Sequence, residues 1–330
     1  MRVSVVMPCY NASRHLAQAL DSLRAQTWTD FEVVAVDDGS TDGTAAMLDE
    51  YAARHRWLKV VHQANSGRPA IARNAGIDHA VGDVVCFLDA DDVWDPEKLR
   101  EVVGAFDRRP NLAVIFHDYR LIADTGSILA PSARAARIDE AGLEAAWELE
   151  SAGSALFLAR PSTYAHFLSG PIIMHTSAVA IDRRRAGDFD LRFDSSLTCS
   201  EDIDLWLRCV ARLRCAFLDR VLGSYRDAEG SITKRRALVN ADGARLYERH
   251  FERPLMPLSA DTRRALRRRI AGDHFDTAYC LAAERKWRPA LATYVRSLSW
   301  RPALRTVMAI VKLFLRAARS KLGAGRADRN

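Results

Sequence analysis

Three features are missing from the 330-residue sequence: a long apolar run, a paired cysteine motif and a glycine-rich nucleotide loop. The longest apolar run near the C-terminus, Val307 to Leu315, is interrupted by Lys312 and is shorter than the roughly 20 residues that span a bilayer. At the N-terminus, the apolar stretch Val3 to Met7 is too short for the core of a signal peptide and stops at Pro8. We therefore expect no membrane-spanning segment and no export signal.

The cysteines are scattered along the chain, and no two of them form a C-x-x-C pair. Several lie inside apolar runs, where a buried thiol packs as a small hydrophobic group. We interpret them as reduced, which suggests a cytoplasmic protein. The six are Cys9, Cys86, Cys199, Cys209, Cys215 and Cys280.

The missing glycine-rich loop counts against two classes of nucleotide-binding enzyme. A dinucleotide-dependent oxidoreductase would need G-x-G-x-x-G after a strand, and the sequence has none. A nucleotidyltransferase would follow its first strand with a glycine-rich phosphate loop that contains a basic residue. This chain has Pro8-Cys9-Tyr10-Asn11 at that position instead.

Charge is distributed unevenly over a composition that is otherwise typical of globular proteins, with 48% hydrophobic and 27% charged residues. The net charge is +6, but residues 241–330 hold 20 Lys and Arg against 8 Asp and Glu, a balance of +12. The remaining residues therefore sum to −6. The basic region indicates either an anionic partner, phospholipid or nucleic acid, or a solvated helical face rich in arginine.

Short valine-rich runs alternate with helical patterns in the first 100 residues, which predicts an α/β fold with a mostly parallel sheet and helices on both faces. The predicted strands are Val3 to Met7, Phe31 to Val36, Leu58 to Gln63 and Asp83 to Leu88. The first helix is predicted from the apolar face of Leu16, Leu20 and Leu23, and the second begins near the Ser40-Thr41-Asp42 cluster, which offers N-cap side chains. The third helix follows Pro69. The fourth begins with Asp95 as N-cap and Pro96 at the first helical position.

The second half of the chain is less regular. Residues 120–171 give little pattern, whereas Ser177 to Ile181 and Cys215 to Val221 read as strands and Asp202 to Leu213 as a helix. From about Ala237 onward helical periodicity dominates. We therefore expect a C-terminal helical appendage.

Acidic residues follow two of the predicted strands. Asp89-Ala90-Asp91 would place two carboxylates on one side of an extended backbone, and hard oxygen ligands of this type suit Mg²⁺ or Mn²⁺. Asp37-Asp38-Gly39-Ser40 follows the second strand, and the two loops would face one crevice at the carboxyl edge of the sheet. Either loop can also simply cap the next helix, and Asp92 and Asp95 are candidates for such caps.

Taken together, these motifs resemble the family 2 glycosyltransferases, which have the glycosyltransferase A fold. The resemblance covers most of residues 1–235, except 120–170, and its motifs occur in the expected order. The matching segments are VVMPCYN at 5–11, QTWTDFEVVAVDDGSTD at 26–42, NSG at 65–67, ARNAG at 72–76, FLDADD at 87–92 and EDIDLWLR at 201–208.

The resemblance implies a nucleotide-diphosphate sugar as donor, UDP-linked by expectation, and a Mg²⁺ or Mn²⁺ ion. It assigns the ion to Asp91, with Asp89 as the other carboxylate of the DXD motif. Without the resemblance, Tyr10 reads as a core aromatic and Arg73 as a solvated helix position. The donor-binding residues that it implies are Pro8, Tyr10, Asn11, Asp38, Arg73 and Asp89.

The resemblance also assigns the general base to Asp202, with Glu201 orienting the acceptor or sharing the charge of the site. Transfer requires such a base because a sugar hydroxyl loses its proton as it attacks the anomeric carbon. A single displacement would invert the anomeric configuration. On local grounds alone, Glu201 and Asp202 look like an acidic helix N-terminus.

One segment departs from the family pattern. Many relatives have a histidine where this chain has Ala228, so a third metal ligand or phosphate contact is absent or supplied by another residue such as Asp227. Arg226 can pair with a phosphate.

His175, just ahead of a predicted strand, can approach the acceptor site. The aromatic residues that can stack on sugars or simply belong to the core are Trp147, Tyr164 and Trp206.

The resemblance implies a catalytic domain at 1–236, with a nucleotide-sugar half at 1–120 and an acceptor half at 121–236, followed by a basic helical region at 237–330. The expected acceptor is a glycan or lipid-linked hydroxyl in cell-surface polysaccharide synthesis. Residues 301–322 have apolar and basic positions typical of an interfacial helix, so we expect a cytoplasmic protein with peripheral contact to anionic membrane and no nucleic acid. The rival class is a non-catalytic protein that binds anions or nucleic acid on a similar fold.

Overall fold

The computed structural model describes residues 1–137, 144–151, 154–170, 172, 174–228 and 230–327. The chain divides into two compact units, Met1–Leu197 with Glu201–Glu229, and Thr198–Ser200 with Gly230–Asn330. The predicted domain limits and the division of 1–236 into donor and acceptor halves stay predictions.

The first unit begins with the predicted alternation of strands and helices. Each predicted strand in this part is present, and its bounds differ from the prediction by one or two residues at an end. The elements are β1 (Val3–Cys9), α1 (Leu16–Arg24), β2 (Phe31–Asp37), α2 (Thr44–Arg54), β3 (Leu58–His62), α3 (Pro69–His79) and β4 (Val84–Phe87).

The rest of this unit contains shorter strands and helices around two long strands. Its elements are β5 (Val93–Trp94), α4 (Lys98–Arg108), β6 (Val114–Ala123), β7 (Ile128–Ala130), α5 (Ala133–Arg137), β8 (Trp147–Leu149), β9 (Leu156–Ala159), α6 (Thr163–Ser169), β10 (Val179–Asp182), α7 (Arg183–Ala186), α8 (Glu201–Arg212) and β11 (Cys215–Asp227).

These strands form one mixed sheet in the order β3-β2-β1-β4-β10-β6-β11-β9-β8. Strands β1 to β4 are parallel, and β6 and β11 are parallel to each other. Strand β10 is antiparallel to both of its neighbours, β4 and β6. The predicted α/β fold with a mostly parallel sheet is confirmed, with β10 as a reversed strand in its middle.

Particular side chains bury, cap and pack the first three helices. The predicted apolar face of α1 is correct, since Leu16, Leu20 and Leu23 are fully buried. Asp42 accepts a hydrogen bond from the Thr44 N–H at 2.9 Å and so satisfies a donor at the start of α2. Gly76 is required in α3 because a Cβ there would lie 2.4 Å from Val6.

The predicted start of α4 is wrong. The helix begins at Lys98 with Glu97 in the cap position, not at Pro96 after an Asp95 cap. Asp95 instead forms a two-pronged ion pair with Arg120 of β6, at 2.7 and 2.8 Å. A bidentate pair with arginine satisfies both oxygens of Asp95, which are then not used as a cap.

The three aromatic residues that could have lined a sugar site belong to the core. Trp147 and Tyr164 are 1% exposed and Trp206 is 0% exposed. Trp206 meets Phe87 and Phe116 at ring-centroid distances of 6.3 and 5.9 Å. Burial of these rings stabilises the sheet rather than presenting a face to an acceptor.

The second unit is helical, as predicted, with α9 (Arg236–Glu252), α10 (Ala260–Ala283), α11 (Trp287–Trp300) and α12 (Leu304–Ala327). Its small core includes Ala278, Tyr294 and Leu313. Among the described residues, no helix has the length and apolar content needed to cross a membrane. None of the six cysteines, all of which lie in the described part of the chain, forms a disulfide.

Candidate active site

The site lies at the carboxyl edge of the sheet, where several strands end together. Parallel β1, β2 and β4 direct their C-terminal ends to this edge. Because β10 runs in the opposite direction, it is its N-terminal end that reaches the same edge, preceded by a 3₁₀ turn at Thr176–Ala178. The loops after β1, β2 and β4 are thereby brought next to a turn from the second half of the unit.

The acidic segment after β4 is a turn and not an extended strand end. The Asp92 N–H donates to the Asp89 carbonyl at 3.0 Å, which folds the backbone back on itself. The expectation that Asp89 and Asp91 share one side of an extended backbone is therefore wrong, because β4 ends at Phe87. The turn is fixed from outside by the Ser177 hydroxyl, which accepts a hydrogen bond from the Asp89 N–H at 3.0 Å.

Arg73 joins the donor-side loop to the start of α8. Its guanidinium donates to Asp89 Oδ1 at 2.8 Å and to Glu201 Oε1 at 2.6 Å. The residue is 6% exposed, so the alternative of a solvated helix position is wrong. Both carboxylates are charge-assisted acceptors of one planar group, which fixes the spacing between them.

Asp202 follows Glu201 in the first turn of α8 and is reached by the same 3₁₀ turn. The Thr176 hydroxyl donates to Asp202 Oδ2 at 3.3 Å, and the Ile203 N–H donates to Oδ1 at 2.7 Å. Burial raises the pKa of the Asp202 carboxyl, and Asp89 raises it further, against a lowering effect of Arg73. The structure thus brings Asp89, Glu201 and Asp202 into one electrostatic group.

Asp38, in the loop after β2, is held by neutral donors. Its carboxylate accepts from Gln63 Nε2 at 2.5 Å, from the Ser66 N–H at 3.1 Å and from the Ser66 hydroxyl at 2.8 Å. Gly39 follows with a φ of +68°, and a Cβ at that position would meet the Asn65 nitrogen at 2.5 Å. The loop therefore needs glycine to close against the segment after β3.

The residues at the end of β1 border this loop. Tyr10 is 53% exposed, so the alternative of a core aromatic is wrong, and Pro8 is half-buried within β1. Asn11 has a φ of +48°, and its side-chain oxygen accepts from the Thr41 N–H at 2.8 Å. The exposed ring of Tyr10 is available to a ligand at this edge.

The thiol of Cys9 lies between the two acidic loops. Burial raises its pKa, and the carboxylates of Asp37, Asp89 and Asp91 raise it further. One side chain thus senses charges from the loop after β2 and the turn after β4. The expectation that the two loops face one crevice is consistent with this arrangement.

Asp92 is fully buried and is not a helix cap, contrary to one of the alternatives. It accepts from the Ser177 hydroxyl at 2.6 Å and from the Arg226 N–H at 2.9 Å. The Arg226 guanidinium donates to the Asp91 carbonyl at 2.8 Å, to Asp124 O and to Gln18 Oε1. Arg226 therefore supports the acidic turn from beneath, and the expectation that it pairs with a phosphate is wrong for this arrangement.

The carboxylates at this edge outnumber the cationic side chains beside them. Burial and the neighbouring Asp89 together raise the pKa of Asp91 to about 6. Burial likewise raises the pKa of Glu201 to about 7 and that of Asp92 well above its usual range. Five carboxylates, including Asp89 and Asp202, accompany the guanidinium groups of Arg73 and Arg226. This excess of buried negative charge, carried by hard oxygen donors, fits a divalent cation.

A group of three donors stands out for metal binding among the described residues. Single ligand atoms of Asp89, Asp92 and His175 all lie within 4.8 Å of one another. The imidazole of His175 lies 3.6 Å from Asp92 through Nδ1. Sequence reasoning assigned neither Asp92 nor His175 to a metal.

Sequence reasoning also missed Thr176 and Ser177, whose hydroxyls contact Asp202 and Asp92. No signal in the sequence singles them out, because their position depends on the reversed direction of β10. Lys98 was missed as well. It is fully buried, lies 3.1 Å above the Trp94 ring centre and donates to the Ser177 carbonyl at 3.3 Å.

Comparison with known proteins bears on the sheet and on this site. Residues 4–147 match the family described as Glycosyl transferase family 2. The chain is 29% identical over 260 residues to the putative glycosyltransferase EpsE of Bacillus subtilis, which is 78% of this chain and 84% of EpsE. Residues 4–147 therefore form a glycosyl transferase family 2 domain. The family predicted from the sequence motifs is thus confirmed.

Other relatives match the chain over shorter stretches. An uncharacterized glycosyltransferase of Nostoc sp. is 44% identical over 120 residues, which is 36% of each chain. The amylovoran biosynthesis glycosyltransferase AmsB of Erwinia amylovora is 33% identical over 213 residues, or 62% of each chain. The matches therefore span between 36% and 84% of the length of these curated relatives.

Solved structures resemble the chain in fold. TarS 1–349 of S. aureus in complex with UDP-GlcNAc has a TM-score of 0.56 at 19% identity, covering 92% of this chain and 89% of that chain. The mannosyltransferase PcManGT of Pyrobaculum calidifontis, in complex with GDP-Man and Mn²⁺, has a TM-score of 0.57 at 18% identity, covering 96% and 80%. The predicted glycosyltransferase A fold is confirmed.

Proposed function

We propose that this family 2 member transfers a sugar, with inversion, from a UDP-linked donor to a hydroxyl of a glycan or lipid-linked acceptor, with a divalent cation. The observation that carries the proposal is the bridge made by Arg73. It ties Asp89, at the end of a donor-side strand, to Glu201, next to the candidate base Asp202. A donor phosphate group and an acceptor hydroxyl would therefore meet at one edge of the sheet.

The donor is assigned to the loops after β1 and β2. Tyr10 offers an exposed ring for a base, and Asp38 has a carboxylate already oriented by Gln63 and Ser66. A carboxylate has about four acceptor sites, and three are used here, which leaves room for an N–H of uracil. The ligands UDP-GlcNAc in TarS and GDP-Man in PcManGT support a nucleotide-diphosphate sugar as donor. They differ in the nucleobase, so the choice of uracil is tested by experiment below.

The cation is assigned to the turn after β4, with Asp91 and Asp89 as its carboxylate ligands and Mg²⁺ or Mn²⁺ as the ion. Such an ion would neutralise the charge that develops on the departing diphosphate. The raised pKa of Asp91, caused by burial and by Asp89, supports the assignment because this pair lacks a full counter-charge. Arg73 would add a positive charge on the donor side.

Asp202 is assigned as the general base. Its carboxylate would take the proton of the acceptor hydroxyl as that oxygen attacks the anomeric carbon and the bond to the diphosphate breaks. The pKa raised by burial brings Asp202 nearer to working pH, which suits a base that must accept a proton. Glu201 accepts a hydrogen bond from Arg73 and would share the negative charge of the site with Asp202.

The acceptor and the cellular setting are proposed from the relatives and from α12. AmsB is described as acting in amylovoran biosynthesis, which supports a role in cell-surface polysaccharide synthesis. On α12, the exposed side chains of Leu304, Phe314 and Leu315 accompany the exposed cations Lys312 and Arg316. An apolar face bordered by positive charge fits the surface of an anionic membrane, where residues 301–322 would lie in the plane of the headgroups.

Sedimentation with lipid vesicles tests the membrane contact. Binding to vesicles that contain phosphatidylglycerol, and weak binding to neutral vesicles, is expected for the full chain. Phe314→Ser with Leu315→Ser should remove binding, whereas Tyr279→Ser, an exposed aromatic on α10, should not. Self-association in place of vesicle binding, seen by analytical ultracentrifugation, would contradict the lipid assignment.

A thermal-shift screen tests the transfer function. Nucleotide sugars with different bases are added to the full chain with and without Mn²⁺, because a ligand that binds only the folded state raises its melting temperature. A UDP-sugar that stabilises the chain only when Mn²⁺ is present is the expected result, and Asp91→Asn should lose that dependence. Stabilisation by no nucleotide sugar, or equal stabilisation without metal, would contradict the proposed donor site.

A further inference from the structure

A histidine that precedes the reversed strand β10 approaches two carboxylates of the acidic turn after β4. Asp89 is partly exposed and belongs to the proposed donor site, whereas Asp92 is fully buried. His175 precedes the 3₁₀ turn before β10, about 85 residues further along the chain. Their ligand atoms nevertheless lie within 4.8 Å of one another, a spacing that one bound ion can span.

We propose that the cation held by Asp89 also takes His175 and Asp92 as ligands, so that its site contains an imidazole nitrogen. The inference deepens the proposed function, since it rests on the metal dependence stated above. It adds a nitrogen donor to a site that the acidic motif alone would make from oxygens. The residues that supply it come from two sequence regions joined by the antiparallel pairing of β10 with β4.

The Nδ1 atom of His175 lies between Ser177 and Asp92. This atom accepts a hydrogen bond from the Ser177 N–H at 3.3 Å, so an ion bound at Nδ1 would take the lone pair that this bond now uses. Asp92 Oδ2 lies 3.6 Å away from the same atom. Two acceptor atoms at this separation repel each other unless a proton or a cation lies between them.

The surroundings of Asp92 favour a cation. Its two hydrogen-bond donors, the Ser177 hydroxyl and the Arg226 N–H, are both neutral groups. The carboxylate is 0% exposed, so water does not solvate its charge. A buried carboxylate with neutral donors needs a counter-charge or a proton, and a metal ion shared with Asp89 supplies the counter-charge.

The imidazole ring is held in place before any ion arrives. It packs on Tyr225 at a ring-centroid distance of 4.3 Å and on Tyr119 at 5.2 Å. Tyr225 belongs to β11 and Tyr119 to β6, so the ring lies against two adjacent strands of the sheet. A ligand fixed in this way loses little conformational freedom on binding a metal.

A nitrogen ligand has a consequence for the choice of metal. Mg²⁺ prefers an octahedral shell of oxygens, whereas imidazole binds later divalent ions of the first transition row better. The site should therefore prefer Mn²⁺ to Mg²⁺ by more than an all-oxygen site does. This preference is measurable without turnover, from the dissociation constants of the two ions.

The test uses Mn²⁺ bound to the full chain, with and without UDP, and reads the ligands by pulsed electron paramagnetic resonance. Echo-envelope modulation from a directly bound imidazole nitrogen is expected in the wild-type chain. His175→Gln should remove that modulation, weaken Mn²⁺ binding by about tenfold or more and reduce the preference for Mn²⁺ over Mg²⁺. His79→Gln, an exposed histidine of α3, is the matched control and should keep all three properties.

Two results separate this inference from the proposed function. Bound Mn²⁺ without nitrogen modulation in the wild-type chain would overturn the role of His175 and leave metal-dependent transfer standing. Failure of Mn²⁺ to bind even with UDP would overturn both. The wild-type spectrum decides the question even if His175→Gln folds poorly, and thermal melting without metal shows whether that variant is folded.

Discussion

The loops after β2 and β4 have similar acidic sequences, yet they hold their negative charge in different ways. In the loop after β2, the Asp38 carboxylate is surrounded by hydrogen-bond donors from Gln63 and Ser66. In the turn after β4, Asp91 lies beside Asp89, and the pKa of Asp91 is raised to about 6 by burial and by that neighbour. The first loop is satisfied within the protein, whereas the second is short of positive charge.

This difference separates two roles that the sequence does not distinguish. A carboxylate oriented by neutral donors is ready to accept a hydrogen bond from a ligand. Carboxylates crowded at one edge are ready to bind a cation. The comparison therefore predicts that the loop after β2 recognises the nucleotide and that the turn after β4 holds the metal.

The largest effect is expected from Asp202, the proposed general base. Asp202→Asn should lower kcat by about 10²–10⁴-fold, because the acceptor hydroxyl loses its base. Donor binding, followed by the thermal shift with a UDP-sugar, should be retained. Asp204→Asn, in the same helical turn but paired with Arg208 at 2.9 Å, is the control and should keep most of the activity. Near-normal turnover of Asp202→Asn would show that another group is the base.

Matched substitutions in the two loops test the comparison directly. Asp91→Asn should weaken Mn²⁺ binding by more than about 10²-fold, because it removes a proposed direct ligand. Asp38→Asn should leave Mn²⁺ binding unchanged and weaken UDP binding by about tenfold, the worth of one hydrogen bond to a charged group. Calorimetric titration with Mn²⁺ alone and with UDP measures both. Loss of Mn²⁺ binding in Asp38→Asn would contradict the assignment of the metal to the turn after β4 alone.

The free energy of unfolding should depend on pH because of the buried carboxyl groups of Asp91 and Glu201. Burial raises the pKa of Asp91 to about 6 and that of Glu201 to about 7, from ordinary values of 3.8 and 4.5. The folded chain therefore binds more protons than the unfolded chain in this window, and the free energy of unfolding falls as pH rises from about 4 to about 7. Each group contributes up to about 1.4 kcal/mol per pH unit.

Mn²⁺ should flatten this dependence because it stabilises the ionised carboxylates of the folded state. Urea unfolding at several pH values across the window, with saturating Mn²⁺ and with a chelator, measures the two slopes. Equal slopes under both conditions would show that the turn after β4 does not bind the ion. Asp91→Asn should reduce the slope without metal.

The smallest effect is expected from Thr176, whose hydroxyl donates to Asp202 at 3.3 Å. Burial raises the pKa of Asp202, and this hydrogen bond lowers it. Thr176→Val should therefore raise that pKa and move the acid limb of the rate profile to higher pH by less than about one unit. Thr176→Ser keeps the hydroxyl and should restore the limb. An unchanged limb in Thr176→Val would show that the contact does not influence the base.

Much of the fold follows from local patterns in the sequence. Strands β1 to β4 are valine-rich and bounded by turns, and Leu16, Leu20 and Leu23 mark the buried face of α1. Contacts between distant residues do not follow from such patterns. The bridge from Arg73 to Glu201 joins residues 128 positions apart, and only the family resemblance placed both in one site.

The errors of the sequence analysis have a common physical cause. Asp95 and Asp92 have the composition of helix caps, but tertiary partners, Arg120 and Ser177, satisfy their carboxylates in other ways. Arg226 was expected to face a phosphate, yet β11 continues to Asp227 and places its guanidinium under the acidic turn. In each case a long-range partner decided the role of a polar side chain.

The reversed direction of β10 has a consequence for engineering. Since this strand lies between β4 and β6, the hydroxyls and the imidazole that precede it reach the edge at the ends of β1, β2 and β4 from the second half of the unit. A chimera that exchanges the second half of this unit for that of a relative would also replace the support of the turn after β4. We therefore expect that donor specificity and acceptor specificity can be exchanged independently only if residues 175–178 stay with the first half.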